Sequence, residues 1–259
     1  MSHPALIVER DGPVATVRLD RPDRYNAIDY RMWVALAEIF DGFGRDKDLR
    51  GAILTGSGNS FSAGADISDF EETRGTPEQS LVYEQAVDRA CDAIAALGCP
   101  VIAAIRGYCY GGACNLAMAA DFRFVAPDAK MAIPAAKLSI VYSGRGMTRL
   151  VSLVGVSEAK RIFYTAQPFD AEHAIETGFA DEIADDPVAA ARAWLDGIAG
   201  LAPLSIAGSK AILNMAAMTD RPFDPELAHA VTYKALASSD YAEGRAAFAE
   251  KRAPRFRNE

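Results

Sequence analysis

The first β-rich runs, Leu6 to Glu9 and Val14 to Leu19, flank Asp11-Gly12-Pro13, a pattern that predicts an opening hairpin. Asp29 then stands before an apolar stripe of Met32, Trp33, Leu36, Ile39 and Phe40, which predicts a capped helix ending at Gly42 and Gly44. Gly51 to Thr55 and Val101 to Ile105 are short apolar runs without polar alternation, the pattern of strands buried on both faces. Between them lie a small-residue loop, Gly56 to Asp66, a polar stretch, Ser68 to Thr76, expected to be mobile and to act as a lid, and a helix from Pro77 to about Leu97.

Further on, Arg106 to Gly112 reads as a glycine turn leading into an Ala-rich helix. Phe122 to Ala126 and Met131 to Ile133 read as strands, Ser143 to Val154 and Ser157 to Thr165 as helices. Beyond Leu201 the strand signals stop, and helical patterns run from Leu204 to Met218, Pro225 to Ser238 and Tyr241 to Lys251. The expected organisation is an α/β core over residues 1–200 and a helical region over 201–259.

Composition narrows the function classes. The 259 residues carry 27 Lys plus Arg against 35 Asp plus Glu, a formal charge of -8. That balance argues against nucleic acid or an anionic membrane surface as the main partner, since both demand clustered cations. Cys91, Cys99, Cys109 and Cys114 form no CxxC pair and have no neighbouring histidine, so a metal site is not expected and buried free thiols are. The N-terminal segment lacks the basic region and long apolar run of a signal peptide, which leads us to expect a cytoplasmic protein.

Two segments place small residues after a strand: Ser62-Ala63-Gly64-Ala65-Asp66 and Gly111-Gly112-Ala113. Such turns either pack a helix closely on a strand or offer bare backbone N–H groups to a developing oxyanion. No phosphate-cradle motif is present, because Phe61 replaces the third glycine after Gly56-Ser57-Gly58. Gly107-Tyr108-Cys109-Tyr110-Gly111 has the spacing of a nucleophile elbow with cysteine as nucleophile. Its base would have to be His173 or His229, both within helical patterns.

Together, Arg21-Pro-Asp-Arg-Tyr-Asn-Ala27, Phe61-Ser-Ala-Gly-Ala-Asp66, Gly107-Tyr-Cys-Tyr-Gly-Gly-Ala-Cys-Asn115, Ala119-Ala-Asp121 and Phe248-Ala-Glu-Lys-Arg252 resemble the crotonase superfamily, the enoyl-CoA hydratase/isomerase group, over nearly the whole chain. The resemblance implies a spiral of ββα units with a C-terminal helical trimerisation region, assembled as a homotrimer or dimer of trimers, and an acyl-CoA thioester as substrate. Coenzyme A would enter as part of that substrate, with no separate cofactor. By the same resemblance the backbone N–H groups of Ala65 and Gly112 grip the thioester oxygen. Ala63, Ala65, Asp66, Ile67 and Ser68 lie along the CoA, with Asp66 as a local cap. Arg24 sits near the CoA, while Phe248 and Lys251 reach the adenosine end on a neighbouring subunit.

The departures from the family pattern are specific. The two glutamates that hydratases use as acid and base correspond to Asn115 and Ala135, neither of which moves a proton. Glu71 or Glu72 of the polar stretch is the expected substitute carboxylate. Where the family usually has a proline and two glycines, this chain has Tyr142-Ser143-Gly144-Arg145-Gly146. Tyr142 matches a tyrosine of the methylmalonyl-CoA decarboxylase branch, although that branch carries a histidine at position 65 and a glutamate at 115. Three readings follow. The chain stabilises a thioester enolate and decarboxylates a malonyl-type ester, with Arg145 on the substrate carboxylate and Tyr142 orienting it; it is a hydratase or isomerase with a relocated carboxylate; or it binds acyl-CoA without turning it over.

Overall fold

The computed structural model describes residues 3–138, 140–217, 224–250 and 252–257. Strands β1 (Leu6–Asp11) and β2 (Val14–Leu19) pair antiparallel in the expected hairpin, with β1 running on to Asp11, which lies opposite Val14, so the turn is Gly12-Pro13 alone. β3 (Gly51–Gly56), β4 (Val101–Ile105), β6 (Phe122–Val125) and β9 (Glu182–Ile183) continue the sheet in parallel, in the order β1-β2-β3-β4-β6-β9. β3 and β4 are buried along almost their whole length, because helices cover both faces. On one face lie α1 (Tyr30–Phe43) and α3 (Pro77–Ala95); on the other, α7 (Pro187–Ile198) seals Val14, Ile53, Ile102, Ala104 and Phe124 with Ala191 and Leu195.

A second sheet, β5-β7-β8, is built from Tyr108–Tyr110, Lys130–Ala132 and Phe169–Asp170. The chain alternates between the two sheets. β4 leads into β5 and then α4 (Gly112–Ala119), and β6 leads into β7 and then α5 (Gly144–Thr165). The earlier turn through β3 makes the same visit with a single bridge, Ser62 opposite Cys109. This repeated strand, strand, helix path is the crotonase-type α/β spiral. The region expected to be a glycine turn contains β5, because Cys109, between Gly107 and Gly111, is buried and the short strand pairs in parallel with β7.

Helix boundaries follow local chemistry. The Asp29 carboxylate accepts from the Met32 N–H at 2.9 Å and starts α1, while Thr76 and Gln79 form a reciprocal capping box at the start of α3, where Pro77 occupies the first turn. The two helices expected around residues 143–165 are joined end to end in α5 and break at Gly155, whose φ is +74°. Ser143 caps the first, accepting from the Gly146 N–H at 3.2 Å. The polar stretch forms a 3-10 turn, Ile67–Asp69, and a short helix α2 (Phe70–Thr73). After α6 (Ala171–Thr177) and α7, the C-terminal region is helical as expected: α8 (Pro203–Ala217), α9 (Pro225–Leu236) and α10 (Ser239–Glu250).

Candidate active site

The small-residue loop after β3 is threaded between two other turns of the spiral. Asp66 N–H donates to the Ile28 carbonyl at 2.9 Å, Ile28 N–H to the Gly64 carbonyl at 2.8 Å, and Tyr110 N–H to the Ser62 carbonyl at 3.0 Å. Gly64 has a φ of +94°, and a Cβ there would lie 2.3 Å from the Tyr110 carbonyl oxygen and 3.2 Å from the Gly112 nitrogen. Only glycine lets the two loops approach this closely. A Cβ on Gly112 would lie 3.6 Å from the Ala65 nitrogen. Among the described residues, neither the Ala65 N–H nor the Gly112 N–H donates to an acceptor, and Gly112 opens α4, where the helix dipole adds positive potential.

Both residues line one cavity of about 180 Å³. Its walls include Trp33, Ile67, Phe70, Tyr83, Leu138 and Ile140, with Asn115, Ala135 and Tyr142 also facing it. Asn115 is only 4% exposed, and its Oδ1 has no hydrogen-bond partner among the described residues. Tyr142 packs edge-on against Phe163 with ring centres 5.2 Å apart, and its hydroxyl makes no hydrogen bond among the described residues. Burial holds that phenol well above its ordinary pKa, with the Cys114 and Glu84 side chains adding to the effect, so it is a neutral donor.

At the mouth, Ala63, Ala65 and Ile67 line the cavity, with Asp66 and Ser68 in the same strip of chain. Asp66 is the local cap that the sequence suggested: its carboxylate accepts from the Ser68 N–H at 3.1 Å and the Ser68 hydroxyl at 2.6 Å. Arg21 approaches it to 2.8 Å and Arg24 to 3.4 Å. Burial opposes its charge, yet the bonds from Ser68 and the nearby Arg21 outweigh that and hold the carboxyl below the ordinary aspartate range. Arg24 also donates to the Ser68 hydroxyl at 3.2 Å, so it stands at the same mouth. Lys251 and the side chain of Phe248 lie outside the described residues.

Two expectations about chemistry are corrected. Arg145 does not line the cavity; its guanidinium pairs with Asp92 of α3, which also holds Arg149 at 2.7 Å. The first turn of α5 points this side chain at α3, so it is a strut between helices. Glu71 and Glu72 are exposed on α2 and do not line the cavity. The nucleophile elbow is also not formed. Cys109 is fully buried, and burial together with Cys114 pushes its thiol well above the ordinary range. His173 is tied to Glu158 at 2.8 Å, and His229 lies exposed on α9.

The carboxylate that does face the cavity is Glu84 of α3. Arg74, just past α2, also faces it and donates to Glu84 at 2.5 Å. The Arg74 guanidinium lies over the rings of Phe70 and Tyr83, 4.9 and 4.1 Å from their centres. Sequence reasoning missed this pair. The available signal was Glu84 lying in the helical series Ser80, Glu84, Val87 and Cys91, an acidic residue on an otherwise inward stripe.

Comparison with known proteins places this geometry. The enoyl-CoA hydratase/isomerase family model matches residues 9–259. The chain belongs to the enoyl-CoA hydratase/isomerase family. A Mycobacterium tuberculosis protein named as a probable enoyl-CoA hydratase is 35% identical over 244 residues, which cover 94% of this chain and 95% of the relative. A Salmonella typhi protein named carnitinyl-CoA dehydratase is 35% identical over 259 residues, covering 96% of this chain and 97% of the relative. A Magnetospirillum magneticum structure described as an enoyl-CoA hydratase/carnitine racemase superposes with a TM-score of 0.91 at 34% identity, covering 100% of this chain and 97% of that one. In this member of the family, Asn115 and Ala135 both face the cavity, and neither an amide nor a methyl group can take or give a proton.

Proposed function

We propose that the chain is an acyl-CoA-transforming enzyme of the lyase/isomerase type, which stabilises a thioester enolate with the backbone N–H groups of Ala65 and Gly112. The observation that carries this reading is the pair of unpartnered N–H groups on one apolar cavity, brought together by the close approach of the Gly64 and Gly112 loops. In a cavity shielded from water such donors stabilise the oxyanion more than water does, and they need no reorganisation as charge develops. The strip from Ala63 to Ser68, with Arg24, takes the CoA; the acyl group enters between Trp33, Phe70 and Ile140. Tyr142 and Asn115 supply hydrogen bonds at the acyl end. CoA arrives as part of the substrate. The relatives' names, hydratase and dehydratase, favour proton transfer as the chemistry.

A second reading is decarboxylation of a malonyl-type CoA ester. It is favoured by the missing carboxyls at 115 and 135, because loss of CO₂ leaves the electron pair of the enolate and requires no base. Arg145 does not supply the grip on the leaving carboxylate. Among the described residues, Arg74, whose Nε is buried without a partner among them, is the cation on the cavity wall. Crotonyl-CoA hydration and CO₂ release from malonyl-CoA, measured side by side, separate the readings. Hydration without CO₂ release supports proton transfer, whereas CO₂ release that drops in Tyr142→Phe supports decarboxylation. If neither thioester is bound, the acyl-CoA reading falls.

A further inference from the structure

Among the described residues lining the cavity, Glu84 is the one carboxylate. It reaches the cavity from α3, not from the α4 and 3-10 positions of Asn115 and Ala135. Its Oε1 accepts from the Arg74 guanidinium at 2.5 Å, while Oε2 has no hydrogen bond among the described residues. The Glu84 side chain is 27% exposed and that of Arg74 is 12% exposed. The pair is therefore held at the cavity wall with one oxygen fixed and the other free. Arg74 is fixed in turn by the Phe70 and Tyr83 rings, so the carboxylate has a defined direction. Glu84 shares this cavity with Tyr142, Asn115 and the Ala65 and Gly112 backbone.

We propose that Glu84 is the proton carrier of this site and that Arg74 is its positioning residue. This rests on the thioester reading above and names the base which that reading lacks. The Glu84 carboxylate removes a proton from the carbon next to the thioester carbonyl. The C–H electron pair enters the C–C–O system, and the resulting enolate oxygen is held by the Ala65 and Gly112 N–H groups. Return of the proton from the Glu84 carboxyl to carbon closes the cycle without any other reactant. The substrate class is an acyl-CoA with at least one hydrogen on that carbon.

The test is exchange of that hydrogen of butyryl-CoA in D₂O, followed by NMR, with calorimetric binding of the same thioester alongside. The wild-type protein is expected to bind and to exchange. Glu84→Gln should slow exchange by about 10² to 10⁴ while the binding constant moves less than about threefold. Glu84→Asp, which keeps a retracted carboxylate, should fall between them and controls for folding of the glutamine variant. Arg74→Lys should retain more exchange than Arg74→Met, with the loss in kcat rather than KM. Joint replacement of Glu71 and Glu72 by glutamine should leave exchange unchanged. Exchange by Glu84→Gln within about threefold of wild type, or wild-type binding without exchange, overturns the Glu84 assignment alone. Failure of the wild type to bind butyryl-CoA overturns the thioester reading and this one with it.

Discussion

At Gly112 two requirements meet in one residue: its N–H must stay free, and a Cβ there would sit 3.1 Å from the Trp33 ring. Gly112→Ala adds the crowding and keeps the N–H; Gly112→Pro adds both the crowding and the loss of the donor. Proline is accepted at the first position of a helix, so α4 can still form in that variant, which replaces the donor with a ring carbon. The proline variant is expected to lose a further factor of about 10² to 10³ in kcat over the alanine variant. Equal activities would remove Gly112 from the oxyanion site. Cys109→Ala should leave turnover within about threefold, and iodoacetamide should not inactivate at pH 8, since the buried thiol stays protonated. For Asp66, the folded carboxyl lies below the ordinary value of about 3.9, so its contribution is present above that pH and is lost as pH falls through the lower folded value. Asp66→Asn should therefore narrow its stability gap to wild type in urea melts between pH 6 and the acid range. The Asp66 cap was legible in sequence because its partner Ser68 lies two positions away, whereas the pairing of the Ala65 and Gly112 loops was implied by the family resemblance alone. Arg145 was not, since its partner Asp92 lies 53 residues away on another helix.

Elements built from local signals emerged where the pattern put them. The hairpin, β3, β4, α1 and α3 depend on turn residues, continuous apolar runs and caps, and each of those is written in a short window. β5 and α2 were not read as elements because three or four residues carry too little periodicity to stand out. The phase of α3 also hid Glu84, as the cavity it meets is made by α4 and the loop at Ala65. A comparable long-range tie fixes α8: Lys210 Nζ donates to Asp121 at 2.7 Å and to the Cys99 carbonyl at 3.1 Å, while Asp121 also accepts from the Val101 N–H. The lysine and aspartate side chains are 9% and 18% exposed. Lys210→Met leaves that carboxylate short of its cation and should cost about 3 kcal/mol in urea unfolding. Adding Asp121→Asn should recover part of the loss; an additive double variant would show that the pair does not couple.

For the whole molecule, the C-terminal helices leave apolar surface uncovered. Leu201 is 53% exposed, Leu213 67%, Leu227 46% and Tyr233 65%, and Pro203 is the one buried residue of α8. A single chain gains little from presenting such a face to water, which supports self-association through α8 and α9. Sedimentation of the full chain at micromolar concentration is expected to give a trimer or a dimer of trimers, and Leu213→Glu with Leu227→Glu should give smaller species. A stable wild-type monomer would defeat this expectation. The loop carrying Ala65 is bridged to Ile28 and, through Ser62, to Cys109, so it closes only when chain segments far apart on both sides have come together. Closing long segments before their contacts form is entropically costly and slow. Refolding should thus restore helix content before it restores capture of an acyl-CoA, and the delay between the two signals would time the assembly of three successive coils of the spiral around one point.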